Sequence, residues 1–211
     1  MLRIIGGAWR GRRLHTPPGR GTRPTADRVR ENLFNVLGNL MEMEGATVVD
    51  LFAGTGALGI EALSRGAALA VLVEAQGRNV TVIRTNLDTV LPGWNPAARQ
   101  SGEQDEEGHT PQAPPDAAQP RAQVVRQKAE AWLRAPGLPG PVRLVMLDPP
   151  YGYPGLERLL ASLATHPLCA EGTIIVVESE AGRVLEAPAG LESLPTRRYG
   201  DTQLCFFRHL G

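Results

Sequence analysis

Between Thr47 and Glu74 the chain passes from an apolar segment of strand length, through a glycine loop, into a short helix-forming segment and back into a second apolar strand. The first strand is read over Thr47 to Phe52, the loop over Gly54 to Gly59, the helix over Ile60 to Arg65 with Gly66 closing it, and the second strand over Ala68 to Glu74. Strand, helix and strand in that order make a parallel pair joined by a right-handed crossover. The pattern then repeats. Val80, Ile83, Leu87 and Val90 supply one apolar helix face, Val124-Val125 a strand and Ala129 to Leu133 a short helix. Val142 to Asp148 follows as a strand, Leu156 to Leu163 as a helix and Thr173 to Glu178 as a fifth strand. The tail, from Tyr199-Gly200-Asp201 through Leu204-Cys205-Phe206-Phe207, predicts a final antiparallel pair. The expectation is an α/β fold on a doubly wound, mainly parallel sheet of seven strands.

Ahead of this unit lies a segment of another kind. Leu2 to Leu14 reads as a hairpin turning at Gly6-Gly7, and Arg23 to Glu31 opens a helix capped by Thr25, with Val29, Leu33, Val36, Leu37 and Leu40 on one face. Residues 1–45 are therefore expected to form a hairpin-and-helix extension, and 46–211 the α/β domain. Residues 1–30 carry eight arginines against the single acid Asp27, although the whole chain balances 22 basic with 22 acidic residues. A basic arm on a mildly acidic body predicts a polyanionic partner met by the arm. Residues 92–120 are rich in Pro, Gly, Gln and acids without apolar period; they are expected to form a mobile loop, with Trp94 anchoring one end.

Composition narrows the setting. No run of about eighteen apolar residues predicts a membrane span, and Met1 to Ile5 lacks the apolar stretch of a secretory signal. Cys169 and Cys205 lie far apart, and His15, His109, His166 and His209 are scattered, so neither a disulfide nor a metal site is expected. A cytoplasmic monomer is the expectation.

Gly54-Thr55-Gly56-Ala57-Leu58-Gly59 fits G-x-G-x-x-G, with Glu74 twenty residues beyond Gly54. Three readings compete: a dinucleotide fingerprint, an S-adenosylmethionine loop with Glu74 on the ribose, and a tight strand-to-helix turn with no ligand. Asp50 favours the second, because a carboxylate ahead of the loop repels phosphates and attracts ammonium and sulfonium charge. Asp148-Pro149-Pro150-Tyr151, at the carboxyl end of a strand, adds an acceptor site. Two prolines stiffen the backbone and remove N–H donors, Asp148 contributes a carboxylate, and Tyr151 offers a ring that stacks on a planar base. Such a site grips a planar molecule by its amino group.

Val49-Asp50-Leu51-Phe52-Ala53-Gly54-Thr55-Gly56 together with Asp148-Pro149-Pro150-Tyr151 resembles the class I amino-methyltransferases, whose sheet is Rossmann-like. The segment Arg23-Pro24-Thr25-Ala26-Asp27-Arg28-Val29-Arg30-Glu31 and the Met-Leu-Arg-Ile-Ile-Gly-Gly start narrow the resemblance to the RsmD-like family, methyltransferases of guanine N2 at guanine 966 of 16S ribosomal RNA. The resemblance implies S-adenosylmethionine as methyl donor, held by Asp50, Phe52, Ala53, Gly54, Thr55, Gly56, Glu74 and the backbone near Ala129. It implies catalysis by Asp148, Pro149, Pro150 and Tyr151 on 16S ribosomal RNA, free or within an assembling small subunit. The basic residues assigned to the RNA are Arg10, Arg12, Arg13, Arg23, Arg28 and Arg30, with Thr25 beside them; for Arg28 and Arg30 an ordinary helix-surface role or an ion pair with Glu31 is the competing assignment. One departure stands out: Lys128 takes the place of the family's acid against the adenine, leaving that contact to the backbone near Ala129 or to Glu130. Two other functions fit the residues. One is a DNA adenine-N6 or cytosine-N4 methyltransferase, weakened by the lack of an obvious target-recognition domain. The other is a non-catalytic RNA-binding assembly factor, opposed by Asp50 and the intact Asp148–Tyr151 motif.

Overall fold

The structure, a computed structural model, describes residues 2–17, 24–92, 94, 121–134 and 141–211, and for 24–26 the backbone alone. Seven strands form one sheet: β1 (Thr47–Asp50), β2 (Leu69–Val73), β3 (Arg121–Val125), β4 (Val142–Leu147), β5 (Cys169–Glu180), β6 (Leu191–Tyr199) and β7 (Thr202–His209). Their order is β3-β2-β1-β4-β5-β7-β6. The first five are parallel, and β7 runs antiparallel between β5 and β6. The five described helices are α1 (Pro24–Leu40), α2 (Ala57–Ser64), α3 (Gly77–Val90), α4 (Ala129–Leu133) and α5 (Leu156–Leu163). The expected Rossmann-like sheet is present with its closing antiparallel pair.

Alternation along the strands divides the core between two faces. Val48, Leu72, Met146 and Val176 pack beneath α1, α2, α3 and the N-terminal hairpin, whereas Val49, Val73, Leu147 and Val177 pack beneath α4 and α5. Both faces are covered, which is why the central strands are apolar nearly throughout.

Strand and helix limits differ from the sequence reading at several ends. β1 stops at Asp50, although the Leu51 N–H still donates to the Met146 carbonyl at 2.9 Å. β3 starts at Arg121, and β5 spans Cys169–Glu180. α1 starts at Pro24, ahead of the expected Thr25 cap; a proline at the first helical position forfeits no helical hydrogen bond. The expected 92–120 loop lies outside the described residues apart from Pro92 and Trp94, whose indole N–H donates to Asp88 Oδ1 at 2.7 Å.

The hairpin is pinned along its length to the domain. Leu2, Ile4 and Leu14 are buried in the same cluster as Val29, Leu33 and Ile60. Its strands meet through Arg3 and Arg13, but the chain does not reverse in a tight turn at Gly6-Gly7. Those glycines lie against α2 instead: Gly7 has φ +75°, and a Cβ there would sit 1.8 Å from the Ser64 carbonyl oxygen. The clamp is Glu61, a wholly buried carboxylate that accepts the N–H groups of Ile5 and Gly6, both at 2.7 Å, and pairs with Arg65 at 2.8 Å. Arg30 lies 3.8 Å from the same carboxylate and also binds the Arg3 carbonyl and Asp27. Glu61→Ala strands two amide donors, removes the partner of Arg65 and leaves the buried Arg30 to Asp27 and the Arg3 carbonyl alone, and is expected to cost about 3–5 kcal/mol of stability. The shift of the urea midpoint measures it.

Candidate active site

The strand order reverses between β1 and β4, so their carboxyl ends part to leave a crevice, the usual ligand position in open α/β sheets. Asp50 closes β1 there and Asp148 follows the last residue of β4.

On the β1 side, Asp50 is 1% exposed. Its Oδ1 accepts the Phe52 N–H at 3.4 Å, and its Oδ2 has no hydrogen-bond partner among the described residues. Burial first, and the Asp148 charge second, push its pKa up to about 7. A buried carboxylate oxygen without a donor is costly, and a cation in the crevice would relieve it. The loop beyond turns on Gly54 (φ 55°) and Gly56 (φ 80°), backbone states that side chains rarely adopt. Glu74, at the end of β2, holds this loop: its Oε2 accepts the Gly54 N–H at 2.8 Å and its Oε1 the Gln76 N–H at 2.7 Å. Each oxygen keeps a further lone pair for a hydroxyl donor. The Ala53 N–H donates to the Val73 carbonyl at 3.0 Å, and the Thr55 carbonyl accepts from Asn86 Nδ2 at 2.9 Å. Asn86 is buried on α3 and exchanges two further hydrogen bonds with the His15 backbone, so it ties the hairpin's exit to the glycine loop.

On the β4 side, Asp148 is exposed and Pro149 buried. Pro150 accepts the Tyr153 N–H at 3.1 Å, and Gly152 donates to the Glu180 carboxylate. Tyr151 is 58% exposed, its hydroxyl 2.8 Å from Thr202 Oγ1 on β7. The ring is thus oriented by its distal end while its surface stays open.

The two sides meet through Phe52 and Tyr153, stacked edge to face with centroids 5.1 Å apart. The Tyr153 hydroxyl donates to Glu130; burial and that carboxylate push the phenol up to about 12. Lys128 is exposed, Ala129 is buried at the start of α4, and Glu130 is engaged by Tyr153. Tyr153 takes one Glu130 oxygen, and the other keeps its lone pairs for a donor such as an adenine amine.

Glu178 was not singled out from the sequence. Alternation along β5 puts it on the face of Val176, as alternation along β1 and β4 puts Asp50 on the face of Val48 and Asp148 on that of Met146. Burial first, then the Asp148 charge, raise its pKa to about 8. The signal for it was present: β1, β2, β4 and β5 each reach an acid at the carboxyl end.

The arginines assigned to the RNA divide between structural contacts and open surface. Arg30 is 6% exposed and committed to Asp27 and the Arg3 carbonyl, so it is withdrawn from the phosphate-binding set, and its partner is not Glu31. Arg12 is exposed and donates to the carbonyls of Thr89 and Val90 at 3.3 and 3.4 Å, at the carboxyl end of α3. That end is about 20 Å from the helix start beside Glu74, at 1.5 Å per residue. Arg10, Arg13 and Arg28 are exposed. Arg23 and the Thr25 side chain lie outside the described residues. Also among the described residues, no group of His, Cys, Asp and Glu is placed to hold a metal, and no helix is long and apolar enough to cross a membrane.

The profile of a family described as "Conserved hypothetical protein 95" matches residues 2–113 and 116–208. The chain is similar to the ribosomal RNA small subunit methyltransferase D of Escherichia coli K12, 37% identical over 180 residues, covering 85% of this chain and 75% of that protein. The Haemophilus influenzae protein of the same name is 31% identical over 199 residues, covering 94% and 89%. The solved structure of yhhF from Escherichia coli has a TM-score of 0.76 at 31% identity, covering 100% of this chain and 98% of that one.

Proposed function

The chain belongs to the family described as "Conserved hypothetical protein 95", the RsmD-like methyltransferases, and from that premise we propose that it methylates the exocyclic N2 amine of a guanine in 16S ribosomal RNA. The wider statement is that it is an S-adenosylmethionine-dependent ribosomal RNA methyltransferase. The observation that carries amine methylation is the pairing of the Asp148–Tyr151 acceptor loop with the buried, unpartnered oxygen of Asp50 across one crevice; the choice of guanine rests on the family resemblance carried by residues 1–7 and 23–31. The Asp50 oxygen, at the end of β1 beside a loop lacking basic residues, fits the cationic methionine end of the cofactor and not a pyrophosphate.

When bound, S-adenosylmethionine supplies an electrophilic methyl group on a sulfonium. Asp50 would face the methionine end, and Glu74 would take the ribose hydroxyls with the lone pairs left by Gly54 and Gln76. Phe52, Ala53, Gly54, Thr55 and Gly56 would underlie the nucleoside, with the backbone at Ala129 toward the adenine. The target nitrogen's lone pair is delocalised into its ring and is a poor nucleophile. The Asp148 carboxylate and the Pro149 carbonyl would accept its two N–H groups, favouring a pyramidal nitrogen and stabilising the positive charge that develops. Tyr151 would stack on the base and fix its plane, so that alignment supplies much of the acceleration. Asp148 is exposed and can pass the released proton to water, which removes the need for a strong dedicated base. The base must leave any stack to reach Tyr151.

Arg10, Arg13 and Arg28 would hold phosphates of the surrounding RNA. Replacing Arg10 and Arg13 with Ala is expected to weaken RNA binding and to flatten the log–log salt slope by about 0.7–0.9 for each phosphate released. Cofactor affinity stays unchanged. Titrations at several salt concentrations check it; an unaltered slope removes these residues from the interface.

The reading is tested in cells, where it places the protein in the cytoplasm. Small-subunit RNA from cells lacking it is expected to lose one N2-methylguanosine, restored by the wild-type gene. Loss of a methylated adenine or cytosine instead would replace the reading.

A further inference from the structure

An acceptor loop for an amine does not by itself choose among guanine, adenine and cytosine, because all three carry an exocyclic amine. They differ in the atom beside it. Next to N2, guanine has an N1–H donor, whereas adenine N1 and cytosine N3 are acceptors. A site that selects guanine therefore needs a second acceptor alongside the one that takes the amine.

Resting on the guanine-N2 reading, we propose that Glu178 is the specificity-determining residue, accepting the N1–H of the guanine whose N2 amine is held by Asp148 and Pro149. β4 and β5 are hydrogen-bonded neighbours in parallel register, with Leu147 opposite Val177. The next residues on the two strands are Asp148 and Glu178, so their backbones stand one strand spacing apart, about 4.8 Å. Their side chains share the face of Met146 and Val176, the face on which Asp50 also lies. Glu178 is only half-buried, and therefore open to a ligand. The loop after Asp148 crosses toward the same strands, because Gly152 reaches Glu180 and Tyr151 reaches Thr202. A base stacked on Tyr151 with its amine at Asp148 thus has its neighbouring edge atom over β5. Whichever Glu178 oxygen carries a proton, the other accepts N1–H. Burial and the nearby Asp148 charge raise the pKa of this carboxyl to about 8; above that pH it is a carboxylate that only accepts, and below it its O–H can also donate, to guanine O6 or to a bare N1, so discrimination sharpens as pH rises through about 8.

The test uses 2-aminopurine, which keeps the 2-amino group but has a bare N1 acceptor and no O6. Small-subunit RNA is built by ligation with guanine or 2-aminopurine at the modified position, and methyl transfer to each is measured for three proteins. At about pH 9, where Glu178 is a carboxylate and cannot donate to the bare N1, the wild type is expected to prefer guanine by about 30-fold or more, the loss expected from leaving an acceptor under the base unpaired. Glu178→Gln narrows the preference while keeping guanine active, because its amide oxygen accepts the same N–H and its NH2 can turn to donate to the bare N1 of 2-aminopurine. Glu178→Ala brings the ratio to within about threefold, as removal of the acceptor removes the penalty for its loss. An unchanged ratio in Glu178→Ala overturns the assignment, and a partly misfolded preparation does not disturb a ratio taken within one sample. If turnover of that variant falls too low, competition between the two RNAs for binding yields the same ratio. The wild-type product reports separately: absence of N2-methylguanosine overturns the parent reading. A wild type that makes N2-methylguanosine yet accepts 2-aminopurine equally overturns only the role of Glu178.

Discussion

Asp148→Asn is expected to lower the single-turnover rate of methyl transfer about 10³-fold while leaving S-adenosylmethionine affinity within about twofold, as removal of one preorganised charge-stabilising group does elsewhere. The substitution keeps shape and removes charge. Asparagine can still accept one N–H through its amide oxygen, but it cannot balance the positive charge that grows on the nitrogen. Asp148 is exposed and follows β4, so the fold does not depend on its burial. Rates from rapid quench and affinities from calorimetry separate the two effects. A variant with wild-type turnover would sink the assigned mechanism. Loss of cofactor binding would shift Asp148 from the amine to the methionine end.

The second large effect is expected at Asp50, and it reverses sign with the cofactor. Asp50→Asn should weaken S-adenosylmethionine binding about 10²-fold, because it removes a charge-assisted contact in a buried place. Wild-type affinity should fall about tenfold per pH unit as pH drops below about 7, where this carboxyl takes up a proton, whereas the Asn variant should show no such dependence. Without cofactor the effect on stability is opposite. The folded pKa of about 7 lies above the ordinary aspartate value of 3.8, so the protonated group favours folding at low pH. That contribution is fully present below about pH 4 and is lost as pH rises through about 7. Cofactor-free Asp50→Asn should then be more stable than wild type at pH 8, and the order should invert when cofactor is added. Melting temperatures with and without cofactor decide it. Equal stabilities in all four conditions would mean that Asp50 does not face the methionine end.

Much of this site could be read from residue order alone, because parallel crossovers force the strand ends together. A strand ending in Asp50 followed by a glycine loop, and another ending in Asp148, have few ways to sit apart in a doubly wound sheet. Glu74 was placed with them by the same logic. Glu178 lies two residues before the end of β5 and lacked a flanking motif, and only the register of β4 with β5 puts it beside Asp148. Arg30 looked like surface because helix periodicity ranks faces by apolar residues. Its burial is set by a partner, Glu61, that lies on a helix 31 positions later in the chain. Gly6-Gly7 read as a turn, yet the glycines serve the approach of the hairpin to Ser64, a tertiary contact with no local signature. Asn86 was invisible for the same reason: its partners, His15 and Thr55, come from two distant segments. The arginine cluster predicted one basic surface. The hairpin instead carries Arg12 to the carboxyl end of α3, away from the helix start beside Glu74, and Arg30 is drawn into the interior.

The most direct measurement is transfer of a labelled methyl group by the purified protein to small-subunit RNA from cells that lack it, followed by digestion to nucleosides. The account predicts label in N2-methylguanosine alone, at one position, and its loss with Asp148→Asn. Label in N6-methyladenosine or N4-methylcytosine, or equal transfer by the Asp148→Asn variant, would contradict it.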